Sequence, residues 1–66
     1  MTPEQRFKRR ARKALRDRWK DLSKKQVDGI VNDAYDWYIE NNHADMTEPV
    51  WYDILEKNNI YVNRGE

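Results

Sequence analysis

The chain has 66 residues, of which 38% are apolar and 38% charged, with a net charge of +1 and no cysteine. That length supports one small domain with a thin core, and the missing cysteines exclude a disulfide framework and any thiolate metal site. No apolar run approaches the ~20 residues that span a bilayer, and no apolar segment follows the basic N-terminus as in a signal peptide, so a soluble, cytoplasmic protein is expected.

The first helix is predicted over about 3–21. Thr2-Pro3-Glu4-Gln5 reads as a capping box with proline at the first helical position. Phe7, Ala11, Ala14, Leu15 and Leu22 recur at helical spacing and form its inner face. Arg6, Arg9, Arg12, Lys13, Arg16 and Lys20 fall together on the opposite side. Trp19 sits where the two faces meet and reads as a core residue placed so that it could also stack on a base. Arg18 lies among the apolar positions and must either snorkel to solvent or find an acid, sought on the second helix.

The second helix is predicted over about 24–41, behind a second capping box, Ser23-Lys24-Lys25-Gln26, with Leu22 and Val27 at the staple positions. Val27, Ile30, Val31, Ala34 and Tyr38 form its inner stripe, flanked by Tyr35 and Trp37. Asp33, Asp36 and Glu40 form an acidic outer face, and Gly29 falls on the same outer side, where it leaves room for a close neighbour. Asn41 to Asp45 reads as a loop. The third helix is predicted over about 48–58, with Thr47 as cap, Met46 and Trp51 as staple pair, and Trp51, Ile54 and Leu55 inward. Ile39 and Tyr52 are candidate exposed apolar contacts. Asn58-Asn59 ends the helix, Ile60-Tyr61-Val62 alternates as a short extended segment, and Arg64-Gly65-Glu66 reads as a frayed tail. The whole is expected to be a single all-α domain, 1–66, built as a small three-helix bundle.

Charge is segregated along the chain. Residues 1–25 hold eleven Lys/Arg and three Asp/Glu, a net +8, and the remainder holds two and nine, a net −7. Arg9–Lys13, Arg12–Arg16 and Arg16–Lys20 are like-charged pairs one turn apart, each costing roughly 0.2–0.5 kcal/mol. Arg6, Lys8, Arg9 and Arg10 also sit toward the helix N-terminus, where the dipole disfavours cations. Asp28, Asp33, Asp36 and Glu40 can neutralise only the edge of such a face, so an outside anion is expected.

The leading expectation is nucleic-acid backbone, gripped by Arg6, Arg9, Arg12, Lys13, Arg16 and Lys20 with Trp19 at the margin, and with little sequence specificity. The third helix carries Glu48, Asp53 and Glu56 against Lys57 alone, which argues against a groove-reading recognition helix. The alternative is a regulator or inhibitor that binds a protein of the nucleic-acid machinery, in the manner of small phage accessory proteins. It would act through the basic face or through Asp33, Asp36 and Glu40. The run Lys8 to Lys13 also matches a nuclear-localisation-like basic patch. Catalysis is not expected: the one histidine, His43, lies in a polar loop, the one serine, Ser23, serves as a cap, and there are two glycines and no phosphate-cradling loop. No cofactor, metal or small-molecule substrate is implied.

The stretches "LSKKQV", "NDAYDWY" and "EPVWYDIL" resemble the C-terminal part of the Hha/YmoA family, small helical proteins that bind nucleoid-associated proteins. The resemblance covers about half of the chain. The spacing from Leu22-Ser23 to Val50-Trp51 is shorter than in that family, and the basic first helix has no counterpart there. The resemblance implies a protein partner.

Overall fold

The computed structural model describes residues 2–62, and within them the chain forms three helices, α1 (Pro3–Arg18), α2 (Lys24–Glu40) and α3 (Glu48–Lys57), and no strand. Both expected capping boxes form. The Thr2 and Ser23 side chains accept from the backbone N–H of Gln5 and Gln26, whose own side chains accept in return from the cap backbone. The cap at Thr47 differs from expectation. Its backbone is extended, but its hydroxyl makes no capping bond. Pro49 at the second helical position has no N–H to offer, and the Val50 N–H donates to the Thr47 carbonyl at 3.1 Å.

The helices end slightly earlier than their periodicity suggests. α1 stops at Arg18 rather than 21, because Trp19 leaves helical geometry and residues 19–22 are needed to turn the chain into the Ser23 cap. α2 and α3 each stop one residue short, at Glu40 and Lys57 with Asn41 and Asn58 as C-caps, and both close the same way. The His43 N–H donates to the Tyr38 carbonyl (2.8 Å) and the Asn42 N–H to Ile39 (3.3 Å). At α3 the Ile60 and Asn59 N–H groups donate to Leu55 and Glu56, each at 2.9 Å. These are Schellman closures. Asn42, His43 and Asn59 supply the left-handed backbone at φ 56°, 63° and 59°.

Ala11, Leu15, Val27, Ile30, Val31, Ala34, Tyr52, Ile54, Leu55 and Ile60 form the core, with Phe7, Trp19, Leu22, Trp37, Met46, Val50, Trp51 and Val62 packed around it. α2 is the central element: α1 and α3 both pack on it, and their backbones do not approach each other. Ile60 turns inward, Tyr61 outward and Val62 is half-buried, so the in–out alternation expected after α3 is present as far as Val62. The expected tail at Arg64-Gly65-Glu66 lies outside the described residues.

Three inward or outward assignments are corrected. Ala14 is exposed, because α1 buries the side centred between Ala11 and Leu15 and so turns Ala14 out of the core. Tyr52 is buried rather than exposed, since the Trp19 ring packs edge-on against it at 5.8 Å. Trp51 is only half-buried, leaving Ile54 and Leu55 to carry the inner face of α3. Ile39 is exposed at 45%, as its position suggests.

Candidate nucleic-acid interface

At about 100° per residue, α1's burial around Ala11 and Leu15 puts Arg12 on the flank nearest α2 and Arg6, Arg9, Lys13 and Arg16 on the open side. Arg12 therefore departs from the outward role expected of it. Its Nε and Nη2 donate to Asp28 Oδ1 on α2 at 3.1 and 3.0 Å. Arg18 finds its acid on α3 rather than α2: it pairs with Glu48 and lies over the Trp19 ring at 4.9 Å. Lys8 is satisfied within its own helix by Glu4 at 2.9 Å, and its Nζ sits 5.6 Å from the centre of the Tyr35 ring.

Subtracting those three leaves a different set. Arg6, Arg9, Arg10, Lys13 and Arg16 on α1 are exposed, as is Lys20, which lies in the turn beyond the end of α1 rather than on the helix face expected of it, and none of the six pairs with an acid among the described residues. Arg10 is the member that sequence reasoning missed. Its angular position lies between the cationic and apolar faces, and only the placement of the 44–46 loop shows which way it borders.

The acidic face is also thinner than expected. Asp33 is half-buried and accepts from Asn58 Nδ2 at 2.8 Å, while the same Nδ2 donates to the Ile54 carbonyl at 2.9 Å. The C-terminal end of α3 thus covers that flank of α2 and leaves Asp36 and Glu40 exposed. Gly29 likewise faces α3 rather than open solvent, and a Cβ there would meet Asn58 Oδ1 at 3.2 Å.

Trp19 is half-buried, committed on one side to Tyr52 and on the other to the Arg18 guanidinium. Among the described residues no charged or polar one is buried, and no group of three His, Asp or Glu is placed to hold a metal ion. His43 stacks on Tyr38 with ring centres 4.8 Å apart and planes 5° from parallel, and Tyr38 in turn lies 4.5 Å from Phe7. None of the described helices is long and apolar enough to cross a membrane.

Because α1 and α3 do not touch through their backbones, a groove of about 580 Å³ opens between α1, the end of α2, the following loop and the first turn of α3. Phe7, Tyr38, Met46 and Trp51 line it, with Arg6 and Arg10 on the α1 side and Asp45 on the loop side.

No family model matches the chain, and no curated protein or solved structure matches it. The short resemblance to the Hha/YmoA family therefore carries no argument below.

Proposed function

We propose that this chain is a non-enzymatic nucleic-acid-binding module that grips the phosphate backbone through the open side of α1. One observation carries the reading: after every ion pair of α1 is assigned, five of its cations and Lys20 just beyond it remain exposed and unpaired among the described residues, against a single exposed acid on that side of α1, Asp17, while Asp28 and Asp33 are engaged elsewhere. Arg9, Lys13 and Arg16 stand on successive turns, about 4.5–6 Å apart along the axis. Guanidinium groups bind phosphate bidentately, and such contacts fix position without reading sequence. Fluorescence anisotropy with random-sequence DNA and RNA tests the proposal: binding that weakens steeply with salt supports it, and no binding at low salt rejects it.

A protein partner is the second reading, favoured by the exposed Ile39 between Asp36 and Glu40 on α2. An aliphatic contact with an acidic border suits the basic surface of a protein that handles nucleic acid. Ile39→Asp should then abolish capture of that protein from nuclease-treated extract, whereas a module that binds nucleic acid directly should be indifferent to the change.

A further inference from the structure

We infer that the groove between α1 and α3 is a base-stacking site that makes the module selective for single-stranded nucleic acid; this rests on the backbone-binding reading above. Two features point there together. The groove is continuous with the unmatched cations, since Arg6 and Arg10 form its α1 rim and Lys13 and Arg9 lie alongside them on the same helix. Its lining is aromatic: Phe7, Tyr38 and Trp51 are half-buried around one cavity of about 580 Å³, and since Tyr38 already stacks on His43 and lies against Phe7, Trp51, with no ring partner among the described residues, is the ring open to a base. Flat rings held by packing, beside guanidinium groups, are what unstacked bases need, and a duplex cannot supply them because its bases are already stacked.

The obvious rival occupant is an acidic amphipathic peptide. Asp45 in the lining opposes any anion alike, but its carboxylate can accept hydrogen bonds from the amino groups of cytosine or guanine, which the acidic side chains of such a peptide do not offer. The groove also has Met46 and two alanines as its only aliphatic surface outside Ala11 and Pro3, a poor bed for the leucine and isoleucine side chains of an amphipathic helix.

The test compares three nucleic-acid probes of equal phosphate count, namely single-stranded DNA of about 12 nucleotides, the same strand made abasic, and a duplex, with an acidic peptide rich in leucine and phenylalanine as the fourth probe. The expected result is that the single strand binds at least about fivefold tighter than the duplex, from stacking of one base. It should quench tryptophan emission, and the abasic strand should lose both effects. Trp51→Phe should abolish most of the quenching, and Arg10→Ala, an exposed change that leaves the fold intact, should weaken the single strand more than the duplex. Equal affinity for single strand, abasic strand and duplex, without quenching, overturns the groove assignment and leaves backbone binding standing. Failure of every nucleic-acid probe rejects both. Binding of the acidic peptide alone, lost in Arg10→Ala, overturns the assignment in favour of a protein occupant.

Discussion

Arg12 and Asp28 form the ion pair that joins α1 to α2, with guanidinium nitrogens 3.0 and 3.1 Å from one carboxylate oxygen. The pair divides the cations of α1 into those the fold uses and those it leaves open. Both side chains remain more than a third exposed, so the pair contributes at most about 1 kcal/mol to stability. Arg12→Ala should lower the unfolding free energy by no more than that and should change the salt dependence of nucleic-acid binding less than Arg16→Ala does. Chemical denaturation and a salt titration of each variant check this. An Arg12→Ala effect on binding as large as that of Arg16→Ala would show that the pair opens on contact with the ligand.

Gly29 and Asn58 should be energetically coupled. Alanine at an exposed helical position is worth roughly 1 kcal/mol over glycine. Here its Cβ would press on Asn58 Oδ1 at 3.2 Å, and that amide is tied by Nδ2 to Asp33 and to the Ile54 carbonyl, so it cannot easily give way. Gly29→Ala alone should be near neutral, and Gly29→Ala in an Asn58→Ser background should recover roughly 1 kcal/mol relative to Asn58→Ser. A thermal or urea double-mutant cycle measures the difference.

The left-handed residues of the two Schellman closures predict opposite signs for two substitutions at one site. Asn59 holds φ 59°. Asn59→Gly should be neutral or stabilising by several tenths of a kcal/mol, and Asn59→Val should cost about 1–2 kcal/mol, because its branched Cβ crowds the carbonyl in that conformation. Denaturation midpoints of the two variants should fall on either side of the parent or, for the glycine, on it.

Core truncations should rank by burial rather than by side-chain size. Leu15 is fully buried, so Leu15→Ala should cost about 2–5 kcal/mol and unfold a substantial fraction of so small a domain. Trp51 is half-buried along the groove, so Trp51→Ala should cost less than Leu15→Ala although the side chain is far larger. Equal or greater loss at Trp51 would mean that the groove is closed in solution.

The capping boxes and the inner stripe of α2 were legible because they are local: Thr2 with Gln5, and Ser23 with Gln26, are three residues apart, and helical spacing alone places Val27, Ile30, Val31 and Ala34 on one side. What escaped depends on where the neighbours lie. Ala14 and Arg12 were misplaced because five apolar residues define a face only to within tens of degrees, and packing against α2 chose the Leu15 edge of it. Tyr52 and Asp33 were misread, and the close neighbour for which Gly29 leaves room could not be named as Asn58, because α3 brings its first turn toward Trp19 and its last toward the middle of α2, a crossing that no periodicity encodes. Arg10 was overlooked for the same reason, since its role depends on a loop that folds back along α1.

The central claim is that the unmatched cations of α1, with Lys20 in the turn behind it, meet phosphate. The direct measurement is the affinity for random-sequence single-stranded DNA across a salt series, for the parent and for Arg16→Ala. The account predicts a straight line of log affinity against log salt with a slope of about −3 to −4, from four to six contacts at roughly −0.7 per phosphate on a single strand, and a slope shallower by about 0.7 in Arg16→Ala. A slope near zero, or one that Arg16→Ala leaves unchanged, would contradict it.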